Sequence, residues 1–260
     1  MPIQVMDDTK SFVPAPSSCA NLTNTPTSFG ANGLIGIDVS LFDGGLYYSC
    51  QSSGTCASIT PGPGQHVPSP IFQLSSDSNG SVVNLPALAT QSPVTADAAV
   101  AAYGTLTLGI GTESNNQPPP GLAVCDTGPG GDLKTVYNGT TFTNSYLDTG
   151  TDYLSFSTYA ATGLPQCAAQ TGYYCPAQTT TLSAVITGKT TGSSSINFPL
   201  GNADAFLASQ SPQPYALDAI GDPGGANTFA WSGPYFFGRS VYIALDGSTT
   251  VLGPGPYFAF

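Results

Sequence analysis

The chain has 260 residues, which is enough to bury a sizeable hydrophobic core in one large β domain or in two lobes. Only 7% of the residues are charged, and the net charge of −11 repels phosphate backbones and anionic membranes. Nucleic acid is therefore not expected as a partner. No membrane span is expected either, since no apolar run approaches the roughly 20 residues of a membrane-spanning helix.

Glycine and proline recur along the whole chain, with 31 and 23 copies. Both residues disfavour helix interiors, so helices are expected to be few and short. Thr, Ser, Val, Tyr and Phe are common between them and favour short strands joined by turns. The expected fold class is all-β.

Two pairs of cysteines are close in sequence, Cys50 with Cys56 and Cys167 with Cys175. Each pair closes a short loop that contains glycine, which predicts local disulfides of a secreted protein. Zinc is the alternative, but neither pair has the C-x-x-C spacing, and the single histidine, His66, lies in a Pro/Gly loop. Disulfides are favoured, and neither a metal nor a cofactor is expected.

The remaining cysteines, Cys19 and Cys125, leave two alternatives open: they pair with each other, or Cys19 has a partner upstream. Residues 1–4 lack the charged and apolar regions of a signal peptide. The expected location is extracytoplasmic (secreted, periplasmic or cell-surface), with the signal peptide not in this chain.

The first hundred residues contain several strand candidates. One lies within residues 3–13, and a loop rich in Pro, Ser, Asn and Thr follows it. Residues 34–36 (Leu34, Ile35 and Gly36) follow an Asn-Gly pair, which on these residues alone indicates a buried strand after a turn. Further candidates are residues 46–48, 71–73 and 82–85, the last two joined by a hairpin turn at residues 75–80.

Residues 95–102 predict a short helical turn or a linker, and residues 103–110 then alternate as a strand does. The domain boundary is placed near residue 100. This divides the chain into residues 1–100 and residues 101–260.

Asp-Thr-Gly occurs twice, at residues 126–128 and 148–150. The first copy is followed by Pro-Gly-Gly-Asp, with no apolar strand, and is expected to be an exposed turn. The second copy lies between two strand candidates. Residues 134–137 and 141–147 flank an Asn-Gly turn and predict a hairpin that leads into Asp148.

The last hundred residues predict strands at residues 182–187 and 196–200 and a short helix at residues 202–208 with Asn202 as its N-cap. An aromatic stretch with Phe236, Phe237 and Gly238 follows. It leads into strand candidates at residues 241–246, 249–252 and 257–260.

Three of these elements carry a resemblance to a known family. Residues 34–36, the tetrad Asp148, Thr149, Gly150 and Thr151, and residues 236–238 occur in the order of the apolar-apolar-Gly and active-site elements of pepsin-like aspartic peptidases. The tetrad also resembles the active-site loop of retropepsins. The sequence around these elements resembles that of DUF3443, a group of bacterial secreted proteins of unknown function that carry two Asp-Thr/Ser-Gly loops.

The resemblance implies an all-β fold of pepsin-like double-ψ β-barrel lobes. Residues 1–100 would be an incomplete N-terminal lobe, and residues 101–260 a whole C-terminal lobe. It also implies peptide-bond hydrolysis by two carboxylates that share one proton. Asp148 would be one of them, braced by Thr149 and Gly150 and hydrogen-bonded by the Thr151 hydroxyl.

The sequence departs from this pattern at its start, because no Asp-Thr-Gly precedes Gly36. We therefore expect a piece of a longer secreted protein, inactive as an isolated chain unless a second lobe or a retropepsin-like dimer partner completes the dyad. The expected partner is a polypeptide substrate or another protein chain, and self-association is a further expectation.

A second hypothesis is a non-catalytic extracellular protein, a β-rich structural, adhesive or filament-forming subunit. Low charge and the abundance of Thr, Ser, Gly and aromatic residues suit a protein that packs against its own copies or binds glycans. A serine or metal hydrolase has little support, because one histidine does not furnish the usual sites.

Overall fold

The computed structural model describes residues 25–51, 56–62, 64–88, 102–208 and 216–260. These ranges contain sixteen strands, while their four helices have only four or five residues each. The expectation of an all-β protein with few, short helices is confirmed.

Strands and short helices alternate irregularly along the chain. The strands are β1 (Tyr47–Cys50), β2 (Cys56–Ile59), β3 (Gly80–Leu85), β4 (Thr105–Leu108), β5 (Val124–Asp126), β6 (Leu133–Tyr137), β7 (Thr140–Leu147), β8 (Leu154–Phe156), β9 (Thr180–Thr187), β10 (Ser193–Leu200), β11 (Gly221–Asp222), β12 (Thr228–Trp231), β13 (Arg239–Ala244), β14 (Thr249–Thr250), β15 (Gly253–Pro254) and β16 (Tyr257–Ala259). The helices are α1 (Pro26–Phe29), α2 (Tyr159–Thr162), α3 (Ala203–Leu207) and α4 (Gly233–Phe236).

The larger sheet has seven strands in the order β10-β9-β6-β7-β12-β8-β11. Its β12 is parallel to β7 and antiparallel to β8, although β7 and β8 are consecutive in the chain. A strand from late in the sequence is thus inserted between two strands joined by one loop. That loop is the one that carries Asp148.

The second sheet has five strands in the order β4-β3-β13-β16-β5. Its β3 is paired with β13 from Ala244↔Gly80 to Arg239↔Leu85. Strands from both sides of residue 100 therefore share this sheet. The division into residues 1–100 and 101–260 stays a prediction.

One hydrophobic core combines side chains of both sheets. The larger sheet contributes an aromatic group with Phe156, Phe229 and Trp231, and the five-stranded sheet contributes Val241 and Phe258. The Phe229 and Trp231 rings are stacked with centroids 4.4 Å apart. Each fully buried aromatic side chain of this kind stabilises the fold by about 1.5–3 kcal/mol.

Local sequence signals explain two of the connections. The β6–β7 turn is formed by Asn138 and Gly139, whose φ angles of 48° and 76° are those that an Asn-Gly hairpin turn requires. Asn202 caps α3 by accepting a hydrogen bond from the Ala205 N–H at 3.0 Å. Both predictions are confirmed.

The predicted strand at residues 71–73 is wrong. These residues form a turn, in which the Leu74 N–H donates to the Ile71 carbonyl at 3.1 Å. Pro68 and Pro70 come just before it and lack the N–H that a strand ladder needs. The predicted strand at residues 103–110 is shorter than expected, at Thr105–Leu108. Of the predicted helical turn or linker, residues 95–101 lie outside the described residues.

The local disulfides are largely as predicted. Cys167 and Cys175 are bonded with an S–S distance of 2.08 Å. Cys56 is also disulfide-bonded, and Cys50 lies opposite it in the β1–β2 ladder. Cys125 is a free, buried thiol, so its pairing with Cys19, a residue outside the described ranges, is wrong. In the parts of the chain described, no helix combines the length and the apolar character needed to cross a membrane.

Candidate functional site

The loop that carries Asp148 is attached at two points, to the end of β12 and to the start of α4. The Asp148 N–H donates to the Trp231 carbonyl at 3.1 Å, and the Gly233 N–H donates to the Thr151 carbonyl at 2.8 Å. The first bond ties the loop to the last residue of β12, and the second ties it to the first residue of α4, which follows β12 after Ser232. A backbone hydrogen bond therefore fixes the loop on each side of its turn.

The Asp148 carboxylate is oriented by its own loop. Its Oδ1 accepts from the Gly150 N–H at 2.7 Å, and its Oδ2 accepts from the Thr151 hydroxyl at 2.7 Å. Asp148 and Thr151 are half-buried, whereas Thr149 and Gly150 are exposed. The hydrogen bond expected from Thr151 is thus present. The catalytic roles expected for the four residues stay predictions.

A cavity of about 310 Å³ opens beside this carboxylate. Its lining is mixed: five side chains are apolar (Ile37, Leu147, Phe236, Ile243 and Phe258), and Tyr146, Thr149, Gly130 and Gly131 lie beside them. Phe236, Ile243 and Phe258 are at most 4% exposed, so the part of the wall that they form belongs to the hydrophobic core. Asp148 and Asp38 contribute the carboxylates. The cavity therefore presents polar and apolar surface in about equal parts beside the Asp148 carboxylate.

Asp38 also lines this cavity, although no pattern in the sequence predicted a functional residue at this position. Its Oδ1 accepts from the Val39 N–H at 2.6 Å, and its Oδ2 lies 3.3 Å from the Ser40 hydroxyl, which is also 2.6 Å from the Pro129 carbonyl oxygen. The contacts within three consecutive residues explain why Asp38 appears in sequence as an ordinary turn former. The sequence carries no separate signal that would bring Asp38 to Asp148.

The glycine next to the Asp148 loop is Gly233, and not Gly238 as the sequence suggested. A Cβ built on Gly233 would lie 2.9 Å from the Thr151 carbonyl oxygen, whereas one on Gly238 would meet Ala87. Phe236, from the predicted aromatic element, does line the cavity. The signal missed in the sequence is the apolar strand before Gly233.

Residues 34–36 do not pack as the sequence predicted. Leu34 and Ile35 are 77% and 75% exposed, and a Cβ on Gly36 would meet no atom within 4 Å. The predicted buried strand is wrong at this point. The next residues, Ile37 and Asp38, nevertheless reach the cavity beside Asp148.

The other Asp-Thr-Gly copy fixes a turn. Asp126 accepts hydrogen bonds from the N–H groups of Thr190 and Thr191 at 2.9 and 2.6 Å and from the Thr190 hydroxyl. Burial by itself raises the pKa of Asp126, but these hydrogen bonds together outweigh it and lower the pKa. Thr127 and Gly128 are buried, so the expected exposed turn is wrong. Asp126 is a structural residue of the β9–β10 connection.

Two further groups of polar side chains lie outside the lining of the cavity beside Asp148. His66 Nδ1 lies 4.0 Å from an Asp43 carboxylate oxygen and its ring lies against Phe42. Cys167, Cys175 and Asp204 are close enough together to hold a metal ion, but both sulfurs are used in the disulfide. Asp204 itself accepts hydrogen bonds from three backbone N–H groups, those of residues 168–170.

Comparison with protein-family models gives a match over the whole chain. The sequence model of the family described as "Protein of unknown function (DUF3443)" matches residues 1–260. No curated protein matches the chain.

Proposed function

The chain belongs to the DUF3443 family, and we propose that it is a secreted aspartic-peptidase-like protein in which Asp148 is one of two carboxylates that hydrolyse a peptide bond. The observation that carries the proposal is the orientation of the Asp148 carboxylate by the Gly150 N–H and the Thr151 hydroxyl, beside a cavity with both polar and apolar walls. An aspartate that only closed a turn at the surface would not require a cavity beside its carboxylate. We also propose that the lobes have a pepsin-like fold. The pairing of β12 with both β7 and β8, the strands on either side of the Asp148 loop, supports this.

The chemistry needs two carboxylates that share one proton, since two close negative charges disfavour each other. The ionised group accepts a proton from water as the water oxygen bonds to the substrate carbonyl carbon, and the protonated group gives its proton to the carbonyl oxygen. The carboxyl group that took the proton from water then gives it to the nitrogen as the C–N bond breaks, and the other carboxylate takes a proton from a hydroxyl of the tetrahedral intermediate, which becomes the carboxylic acid product. No metal or cofactor takes part in this scheme.

Asp148 supplies one carboxylate and does not complete the reaction alone. Asp38 lines the same cavity, but it is exposed and its Oδ1 closes a local turn with the Val39 N–H. We assign Asp38 no catalytic role. The second carboxylate comes from a further Asp-Thr/Ser-Gly loop, so the isolated chain is expected to be inactive.

The substrate in this proposal is a polypeptide, which lies across the cavity with an apolar side chain against its walls. The Cys167–Cys175 disulfide supports an extracytoplasmic location, because disulfides persist in oxidising compartments.

The test is cleavage of a denatured protein substrate by the product of the entire reading frame. We expect cleavage at about pH 4, sensitive to pepstatin and abolished by Asp148→Asn. Asp38→Asn is the matched control, since it changes the other carboxylate of the same cavity, and it should retain activity. Absence of cleavage between about pH 3 and pH 7, or cleavage that survives Asp148→Asn, would overturn the proposal.

One observation favours the alternative of a non-catalytic, self-associating protein. Edge strand β4 exposes Leu106 and Leu108 by 49% and 40%, and Tyr103 just before it is 87% exposed. An uncharged apolar edge can pair with another chain. Light scattering that shows assemblies dispersed by Leu106→Lys, together with the absence of cleavage, would support this alternative.

A further inference from the structure

Asparagine is followed by glycine at three places in the chain, residues 32–33, 79–80 and 138–139. This dipeptide can react with itself, because the backbone nitrogen of the glycine lies close to the side-chain carbon Cγ of the asparagine and no Cβ hinders the approach. The attack needs a backbone and a carboxamide that are free to turn. The three pairs differ in this freedom.

The pair at residues 79–80 is held tightly. The Asn79 carboxamide accepts from the Ile110 N–H at 2.8 Å and donates to the carbonyls of Ile110 and Thr249 at 3.1 and 3.3 Å. Gly80 is buried at the start of β3. The carboxamide hydrogen bonds must break before Cγ can turn towards the Gly80 nitrogen, so this pair reacts only after local unfolding.

The pair at residues 138–139 is exposed but has a fixed backbone. Asn138 and Gly139 are the two residues of the β6–β7 turn, with φ angles of 48° and 76°, and Tyr137 pairs with Thr140 across it. Closing a five-membered ring between Asn138 Cγ and the Gly139 nitrogen changes the backbone angles at Asn138. The turn therefore has to open first, which slows the reaction.

The pair at residues 32–33 has no such restraint. Both residues are exposed, and a Cβ on Gly33 would meet no atom within 4 Å. In the part of the chain that the structure describes, neither the Asn32 carboxamide nor the backbone of residues 31–37 has a hydrogen-bond partner. The next side chains, Leu34 and Ile35, are 77% and 75% exposed, so this segment is not packed against the core.

We propose that Asn32 is a site of spontaneous deamidation in the folded protein. The Gly33 nitrogen loses its proton and bonds to Asn32 Cγ, while the bond from Cγ to the side-chain nitrogen breaks and ammonia leaves with that proton. Water then opens the resulting succinimide at either of its carbonyl carbons and gives aspartate or isoaspartate. One water is consumed and one ammonia is released, without any other reagent.

Deamidation changes the segment that leads to the cavity in two ways. Either product adds a carboxylate to a chain whose net charge is already −11. Isoaspartate also routes the main chain through the former side-chain carbon, which lengthens the backbone ahead of Ile37 and Asp38, two residues that line the cavity beside Asp148. The reaction needs only Asn32, Gly33 and water, so it does not depend on the proposed function.

Peptide mapping of the folded chain by mass spectrometry tests the proposal. Samples taken during incubation in a mildly alkaline buffer are digested at acid pH, where the attack on Cγ is slow. Asn32 should deamidate about tenfold or more faster than Asn79 and Asn138, because the other two sites react only when they open. In guanidinium chloride the chain is unfolded, and the three sites should react at similar rates.

Gly33→Val tests whether the Gly33 nitrogen is the attacking group. A β-branched side chain crowds this nitrogen, so deamidation at Asn32 should slow by about tenfold or more. Gly36→Val is the matched control, because it makes the same change in the same exposed segment, at a position where a Cβ also meets no atom within 4 Å. Asn32 should deamidate at the wild-type rate in this variant.

Two results would overturn the proposal. The first is deamidation of Asn32 in the folded chain that is no faster than that of Asn79 or Asn138, or far slower than its own rate in guanidinium chloride, since the segment would then be restrained. The second is a rate at Asn32 that Gly33→Val leaves unchanged, or that Gly36→Val lowers equally.

Discussion

At the scale of single residues, Asp148 is defined by two short hydrogen bonds within its own loop. The Thr151 hydroxyl supplies one of them and the Gly150 N–H the other, each at 2.7 Å. A carboxylate held in this way has one preferred orientation. The donor that a substitution can remove without changing the backbone is the Thr151 hydroxyl.

Thr151→Val replaces the hydroxyl with a methyl group of similar size, so the Asp148 carboxylate loses a donor. We expect the free energy of unfolding to fall by about 1 kcal/mol, the typical contribution of one such hydrogen bond. Urea unfolding followed by circular dichroism measures the change. Thr151→Ser keeps the hydroxyl and should lie closer to the wild type; equal stability of the valine variant and the wild type would contradict the assignment.

The Thr151 contact was expected from the resemblance of the Asp148 tetrad to a known active-site loop, and its donor and acceptor are three residues apart in a single turn. The approach of Asp38 was not, because its position depends on a connection between segments that are over a hundred residues apart in sequence. The approach of Gly233 to the loop was not predicted either, since only Gly238 was singled out from the sequence. Both follow aromatic or apolar residues, and only the strand pairing of β12 decides which one meets the loop.

At the scale of elements, the close approach of α4 to the Asp148 loop depends on the absence of a side chain at Gly233. A Cβ there would lie 2.9 Å from the Thr151 carbonyl oxygen, a backbone atom that has little freedom to move. Gly233→Ala should therefore destabilise the protein by about 1–3 kcal/mol through overpacking. It should also speed amide exchange at Gly233, whose N–H donates to that carbonyl.

Gly247→Ala is the comparison for this variant, because Gly247 has open space but a φ of +67°, so any loss there reflects backbone strain alone. If amide exchange around residues 148–151 changed equally in both variants, the contact at Gly233 would not be the cause.

The β9–β10 connection gives a prediction about pH. The pKa of Asp126 is lowered in the folded state by hydrogen bonds from Thr190 and Thr191, against the opposing effect of burial. The ionised carboxylate therefore stabilises the fold above the unfolded pKa of about 3.9, and this contribution is lost as the pH falls through the folded value. Asp126→Asn should be less stable than the wild type at pH 7, and the difference should shrink in acid.

Chemical unfolding of both proteins between about pH 7 and pH 3 measures this difference. Asp132→Asn, which changes a nearby aspartate of the same charge, serves as the control for net charge. A stability difference for Asp126→Asn that stayed constant over the whole pH range would refute the explanation.

Elements whose structure depends on neighbouring residues were predictable from sequence. Elements whose structure depends on residues far away in the chain were not. The β6–β7 hairpin follows from Asn138 and Gly139, and the start of α3 follows from Asn202. Asp126 appeared to belong to an isolated turn, because its partners Thr190 and Thr191 come 64 and 65 residues later. No pattern near Asp126 indicates them.

At the scale of the whole molecule, the net charge of −11 is hardly compensated by ion pairs. In the described ranges one such contact is found, between His66 Nδ1 and an Asp43 carboxylate oxygen at 4.0 Å, and it is an ion pair only when His66 is protonated. The folded chain therefore carries mutual repulsion that salt should screen. Raising NaCl from about 0.01 M to about 0.1 M shortens the Debye length from about 30 Å to about 10 Å and should raise the melting temperature.

Thermal unfolding at the two salt concentrations measures this effect at neutral pH. The same comparison near the isoelectric point is the control, and the salt effect should largely disappear there. A melting temperature that fell with added salt would show that favourable ion pairs, and not repulsion, dominate the electrostatics of the fold.

The all-β class followed from composition, because so many glycines and prolines leave little room for helices. The arrangement of the two sheets did not follow, since it depends on long-range pairings such as that of β3 with β13. Local patterns in the sequence indicate where strands form, but they do not indicate which strands pair with each other.

Trp231 gives the protein a built-in optical reporter. It is the sole tryptophan of the chain, it is 0% exposed, and its indole N–H donates to the Thr135 hydroxyl at 2.9 Å. Its carbonyl accepts the hydrogen bond from the Asp148 N–H. The wavelength of its intrinsic emission therefore follows the solvation of the strand directly beneath Asp148, without any added dye.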